Sequence, residues 1–310
     1  MNILVWHVHG SWMTAFVQGN HTYYTPLTAD RDSNGLGRAT SWTWPSSVVE
    51  VPVDDLGDLD IDAVVLQRPH ELELAEQWFA RGRRRLPTVY VEHDTPLDLP
   101  APRHPMSDRD DLVIAHVTHF NSLFWRSGST PTTVIEHGVI DPGHRYTGEL
   151  ASAVAVINEP VRRSWVAGTD LVLEMRDHFP VDLFGMQSSA LDGLDLRQDQ
   201  LHAEMARRRV YLHLFRWTSL GLTLIEAMML GVPVVVLGTT EAAVFPDDIG
   251  TVALSFDELR AGAERLIAYP GIAAEAGARA REFALSRFGV ERFLDDWDQL
   301  LEQVACGIAA

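Results

Sequence analysis

Short apolar runs recur along this chain and alternate with longer stretches of helical spacing, the pattern that builds parallel sheets from strand and helix units. In the first half it predicts strands at Ile3 to Trp6, near Val48 to Val51, and at Ala63 to Gln67, Thr88 to Val91, Leu112 to His116 and Thr133 to Ile135. Helices are expected at Trp12 to Gln18, Leu72 to Arg81 and His119 to Trp125. The pattern breaks at Glu136-His137-Gly138-Val139-Ile140-Asp141-Pro142, and an inter-domain linker is placed between His137 and Ala151. It restarts with a strand at Ala153 to Ile157 and a helix at Gly168 to His178. A strand at Val181 to Phe184, a helix at Gln198 to Arg207, a strand at Val210 to Phe215, a helix around Glu226 and a strand at Val232 to Leu237 follow. Helices near Leu259 to Ala268, Ala273 to Phe283 and Val290 to Ala305 close the chain. The expectation is two open α/β domains, residues 1–145 and 146–289, then a helix over 290–310; the length suffices for two domains of about 150 residues. Open sheets of this kind bind ligands outside the carboxyl ends of their strands, so reactive groups are sought there, in a cleft between the domains.

The most informative of these strand exits runs from Trp217 to Val236. A small-residue loop, Thr218-Ser219-Leu220-Gly221, leads into a short apolar helix that stops at Gly231 and passes straight into a strand. Inside that helix stands one carboxylate, Glu226, flanked by Leu224, Ile225, Met228 and Met229. Burying it is costly unless hydrogen-bond donors meet it, and sugar hydroxyls are such donors. Free amides around Ser219 to Leu222 and Thr223 at the positive end of the helix suit a phosphate. One segment can therefore hold an anion at its tip and a ribose one turn further in; the plain alternative is a glutamate paired locally in ordinary strand-helix packing.

Composition narrows the chemistry. The net charge is -18 and the pI near 5.0, which argues against a nucleic-acid partner or an anionic membrane surface. All 25 basic residues are arginine. That excludes a Schiff-base lysine and the lysine-dependent P-loop, so a phosphate clamp must use arginine, backbone amides or helix ends. The single cysteine, Cys306, permits no disulfide within the chain, and a cytoplasmic location is expected. Met1 to Trp6 reads as a strand rather than a leader, and no apolar run approaches the ~20 residues that span a bilayer. The histidines show no metal-ligand spacing, and no serine sits in a nucleophile elbow.

Ser219-Leu220-Gly221-Leu222, Leu224-Ile225-Glu226-Ala227-Met228 and Gly231-Val232-Pro233-Val234-Val235 together resemble the nucleotide-sugar corner of retaining GT-B glycosyltransferases of the sucrose-synthase and mannosyltransferase type. The resemblance implies a GT-B fold, two Rossmann-like domains facing a cleft, with the last helix crossing back to the first domain. It assigns Glu226 to the ribose hydroxyls of the donor. The family's partner glutamate, eight positions earlier, falls on Thr218. The loop Asn158 to Gly168 corresponds to one carrying an arginine and, five residues later, a lysine that grip the diphosphate: Arg162 takes the arginine position, Ala167 the lysine position, and Arg163 can share the work. Gly185-Met186-Gln187 is similar to the family's glycine loop beneath the base.

In the first domain Gly10 follows the first strand, where it lets backbone approach a ligand or simply makes a turn. His93, after the fourth, is an oriented acid/base, a hydrogen-bond donor to a hydroxyl, or a structural histidine, and it resembles the family's histidine in the acceptor-side loop. Val134 to Val139 resembles the inter-domain motif, with His137 in place of asparagine and Gly138 serving a turn or close packing. The basic runs Arg81 to Arg85 and Arg207 to Arg209 read as helix-end charges. The function implied is transfer of a sugar from a nucleoside diphosphate to an unidentified acceptor, with retention, without metal or other cofactor. Two other classes stay open: a non-catalytic GT-B-like protein binding a nucleotide sugar or a protein, favoured by Thr218 and Ala167, and a sugar-nucleotide epimerase.

Overall fold

The computed structural model describes residues 1–40, 42–79, 86–97 and 102–307. The chain divides into two compact units: Met1–Gly138 with Val290–Ala310, and Val139–Gly289.

The first unit is built on a seven-stranded parallel sheet. Its strands are β1 (Asn2–Val5), β2 (Thr22–Leu27), β3 (Val48–Pro52), β4 (Ala63–Leu66), β5 (Thr88–Glu92), β6 (Val113–His116) and β7 (Thr132–Val134), in the order β3-β2-β1-β4-β5-β6-β7. Between them come the helices α1 (Gly10–Phe16), α2 (Glu71–Trp78) and α3 (His119–Phe124). Sequence reading missed β2. It carries Pro26, which argues against a central strand, yet the β1–β2 ladder ends at Tyr24, so the proline lies beyond it and is registered only with Val51 of β3. Leu4, Val64, Tyr90 and Ile114 bury one face of the sheet with Trp6 and Leu56.

The last helix, α10 (Val290–Ala305), belongs to this unit and buries Phe293, Trp297, Leu300 and Leu301. Those residues lie one helical turn apart on one face. Trp297 and Phe293 meet Trp12 of α1 edge-on at 5.7 and 6.1 Å. Gly138 is the close approach that this packing demands: a Cβ there would stand 2.3 Å from Phe293 Cβ.

The second unit holds a five-stranded parallel sheet in the order β12-β11-β10-β8-β9. Its elements are β8 (Leu150–Val156), α4 (Ser164–Ala167), α5 (Thr169–Met175), β9 (Val181–Phe184), α6 (Gln198–Arg207), β10 (Arg208–His213), α7 (Leu222–Met229), β11 (Val234–Leu237), β12 (Gly250–Ala253), α8 (Phe256–Ala268) and α9 (Pro270–Phe288). Both faces of the sheet are covered by separate apolar clusters, one with α6, α7 and α9, the other with α5 and α8. The short edge strand β12 begins with a glycine and went unread in the sequence. The helix expected from Gly168 is α5; the short α4 ahead of it was not expected, and Gly168, with a φ of 65°, ends one before the other begins.

Residues 139–149, read from the sequence as linker, are bonded along the second unit. Val139 N–H donates to Phe288 O at 2.9 Å, the Arg145 and Tyr146 amides both donate to Leu230 O at 3.0 Å, and Thr147 N–H donates to Ala206 O at 2.9 Å. Arg208, expected to be a solvated helix-end charge, is buried as the first residue of β10 and pairs with Asp182 and Glu204. The run Arg81 to Arg85 lies outside the described residues. Among the described residues no helix is long and apolar enough to cross a membrane.

Candidate functional site

In the second unit the exits of β8, β9 and β10 are tied into one surface. Gly185, just after β9, has a φ of 131°, and a Cβ there would stand 2.3 Å from Ile157 O at the exit of β8. No other residue fits. Asn158 Oδ1 then accepts from the Met186 amide at 2.9 Å, and Glu159 N–H donates to Met186 O at 2.7 Å. Gly168 makes the matching approach to β10, since its Cβ would fall 1.9 Å from Leu214 O. Arg216 N–H donates to Val166 O at 2.9 Å, and its guanidinium stacks 3.9 Å over Trp165 while gripping both oxygens of Asp170.

The loop from β10 passes through Thr218, half-buried, and Ser219 and Leu220, both buried, to Gly221. Gly221 is the N-cap of α7 and offers no side chain to cap it, so the first amides of the helix keep their hydrogen-bonding capacity for an anion. The residue must be glycine for a steric reason as well: a Cβ would come 2.6 Å from His213 Cε1. His213, the last residue of β10, is buried beneath this turn with its Nδ1 unpartnered, and burial pulls its pKa down to about 3. Sequence reading missed it. A lone histidine ending an apolar strand gives no signal until the fold puts it under the loop.

One turn into α7, Glu226 is only 5% exposed among Leu224, Ile225 and Met228, all fully buried. Within the protein it meets His202 of α6, whose Nε2 lies 3.2 Å from Glu226 Oε2. Local pairing and ligand binding therefore need not exclude each other at this carboxylate. Its charge reaches the neighbouring strand, where the pKa of Tyr211 is raised, first by burial and then by Glu226.

The two arginines after β8 separate in role. Arg162 is 71% exposed and turned onto Glu159, with Nε 2.7 Å from Oε2. Arg163 instead sets its guanidinium 5.7 Å over Phe215, beside the loop that leads to Gly221. Ala167, in the position that the resemblance gives to lysine, is fully buried. Glu159 itself adopts a left-handed φ of 53°, sparsely used by residues other than glycine, asparagine and aspartate.

In the first unit His93 directly follows β5 and is buried. Its Nε2 stands 3.1 Å from Gln67 Oε1. The Gln67 amide nitrogen donates to Trp6 O at 2.7 Å, so the amide oxygen faces the imidazole and His93 is the donor. The ring of His9 lies 4.1 Å away by centroids. Burial, then the neighbouring His9 and His137, hold the His93 pKa well below 6.5; burial, then His9 and Arg292, bring His137 down to about 3. These imidazoles are neutral near pH 7, and among the described residues no three His, Cys, Asp or Glu are arranged to hold a metal ion. At Gly10 the close neighbour is protein: a Cβ would stand 2.8 Å from the Trp42 indole nitrogen.

No protein-family model matches the sequence, and no curated protein matches it in sequence. Solved structures do resemble it in fold. A sucrose-phosphate synthase from Thermosynechococcus elongatus aligns with a TM-score of 0.70 over 99% of this chain and 99% of its own, at 14% identity. Anabaena HepE in complex with UDP aligns with a TM-score of 0.68 over 98% of this chain and 100% of its own, also at 14% identity. A glycosyltransferase from Rickettsia africae gives 0.67 over 98% of each chain at 10% identity. The fold is α/β of the GT-B type found in glycosyltransferases.

Proposed function

We propose that the chain is a glycosyltransferase that takes a sugar from a nucleoside diphosphate and passes it to a hydroxyl-bearing acceptor with retention of configuration. The observation that carries this reading is the β10 to α7 corner: an uncapped helix start behind a glycine fixed by His213, with a buried carboxylate one turn further in. The first part suits a diphosphate and the second a ribose. Arg163, and Arg162 if it leaves Glu159, would add charge-assisted bonds to the phosphates. Anabaena HepE, a protein of like fold, is solved with UDP, which makes uridine nucleotides the first probes to try.

In the reaction the bond from the anomeric carbon to the diphosphate oxygen breaks and a bond to the acceptor oxygen forms on the same face. The acceptor proton goes to the departing diphosphate. Charge grows on that diphosphate, so fixed donors around it stabilise the transition state more than the ground state. With arginines and helix amides in that role the transfer needs no metal, and a chelator should leave it unchanged. His93, neutral at a strand exit, spends its Nε2 hydrogen on Gln67, which leaves Nδ1 as an acceptor suited to a hydroxyl rather than to an anion.

A second reading has its own support. Thr218, Ala167 and the pairing of Arg162 with Glu159 all remove charge from the corner, which favours a protein that binds a nucleotide sugar without transferring it. A thermal-shift panel of uridine, guanosine and adenosine diphosphates and their sugars separates the cases, because a ligand at 100 times its Kd stabilises by about 2.7 kcal/mol. A shift with release of nucleoside diphosphate on incubation supports transfer. A shift without release supports the binder, and no shift with any nucleotide removes both.

A further inference from the structure

Glu226 is supported from a second helix. His202 lies on α6, with 12% of its side chain exposed, and meets a carboxylate that is 6% exposed. The same His202 Nε2 is also 2.8 Å from Gln198 Nε2, one turn earlier on α6. An ionised carboxylate only accepts hydrogen bonds and an amide nitrogen only donates. One imidazole nitrogen cannot serve both. With its hydrogen on Nε2, His202 donates to Glu226; with the hydrogen on Nδ1, it accepts from Gln198 and turns a lone pair toward a nearly buried charge. The first arrangement satisfies the group that is more expensive to leave unmet, because desolvated carboxylates lose more than amides do.

We propose that His202 is a positioning residue for ribose recognition: it donates from Nε2 to Glu226 and holds the carboxylate in the plane from which it receives the ribose hydroxyls. The inference rests on the nucleotide reading of the β10 to α7 corner. A carboxylate offers about four acceptor directions, so one bond from His202 restrains the group without exhausting it. The support comes from α6, packed beside α7 in the same apolar cluster through Leu201 and Met205. Both residues on either side of the contact are therefore held by the core, and the imidazole has little freedom to follow a carboxylate that swings away. Gln198 competes for the same nitrogen and sets how completely the Nε2 hydrogen is kept for Glu226.

The experiment compares uridine, guanosine and adenosine diphosphates with their 2′,3′-dideoxy forms by calorimetric titration of the whole protein. A charge-assisted bond to the hydroxyls should make the preferred diphosphate bind more than about tenfold tighter than its dideoxy form. Glu226→Gln should collapse that ratio. His202→Phe, which fills the same space without a donor, should lower it several-fold with the dideoxy affinity unchanged, and His202→Gln, which restores a donor, should recover part of it. An unchanged ratio in His202→Phe, or an equal loss for both forms of the ligand, overturns the positioning role while Glu226 stands. A ratio near one in the wild type, or one that survives Glu226→Gln, overturns the ribose reading itself.

Discussion

At the scale of single residues, the corner is short of charge where its likeness to known donor sites would have more. Arg162 occupies the expected register but already has an anionic partner in Glu159. Binding a phosphate would exchange one ion pair for another. Arg163, stacked on Phe215, has no such exchange in view. Arg162→Ala is therefore expected to weaken UDP binding by less than about 1 kcal/mol, the usual worth of an exposed ion pair. Arg163→Ala should weaken it by about 1.5–3 kcal/mol, the worth of a hydrogen bond to a charged group. Neither should alter binding of uridine, which has no phosphate; titrations of UDP and uridine read this directly, and the reverse order of effects would return the phosphate to Arg162. Thr218 poses a different question, since a hydroxyl cannot supply the charge-assisted acceptor of a glutamate. Thr218→Glu should change which sugar nucleotide is turned over, with UDP affinity nearly constant. A shift in UDP affinity as large as the shift in sugar preference would place Thr218 at the phosphates instead.

At the scale of elements, the site depends on where α7 is held, and one contact fixes it from behind. Gly277 of α9 lies so close to the turn after α7 that a Cβ would stand 2.0 Å from Gly231 O and 3.2 Å from Pro233 Cδ. The first of these is backbone and cannot swing aside. Gly277→Ala gains about 1 kcal/mol of helix propensity. It loses at least about 1–3 kcal/mol to overpacking, and because α9 or α7 must shift bodily, nucleotide affinity should fall along with the urea midpoint. A stabilised variant with full affinity would show the contact to be slack. The same closeness explains what could be read from sequence. Strands buried on both faces, such as Ala63–Leu66 and Val234–Leu237, are continuous apolar runs and need no context. Gly221, Glu226 and the helix start between them were legible as a candidate corner because they lie in one contiguous stretch. Strand β2 was hidden by Pro26, and β12 by its opening glycine and by side chains that are only half-buried. His202, His213 and the pairing of Glu159 with Arg162 were hidden because their meaning comes from a neighbouring element, which only tertiary packing supplies.

At the scale of the whole molecule, an arginine-only, acidic chain keeps several histidines neutral inside it. Burial pulls His213 down to about 3, and burial, then neighbouring charges from His104 for His116 and from His9 and Arg292 for His137, brings those two to about 3 as well. In the unfolded chain each returns to about 6.5. Protons are therefore bound more tightly by the unfolded state, and stability is complete above pH 6.5 and drains as pH falls toward 3. Each group removes up to about 1.4 kcal/mol per pH unit within that window, so three together remove up to about 4. Carboxylates held low by arginine partners, such as Asp141 beside Arg281 and Asp170 beside Arg216, add their own loss only below their ordinary value of 3.8. Between pH 6.5 and 5 the loss is carried by the histidines, with Glu71, whose pKa burial raises, acting against it. Relief of the net charge of -18 acts in the opposite direction there, but it is spread over the surface and screened by salt. His213→Phe keeps a ring beneath Gly221 and deletes one titrating group of the second unit. Urea unfolding at pH 6.5, 6.0, 5.5 and 5.0 in moderate salt should show the wild type losing stability steeply, with the variant's slope shallower by about one proton's worth. Parallel slopes would mean that His213 titrates in the folded protein as it does in the unfolded one, and that the space beneath the Gly221 turn is open to water.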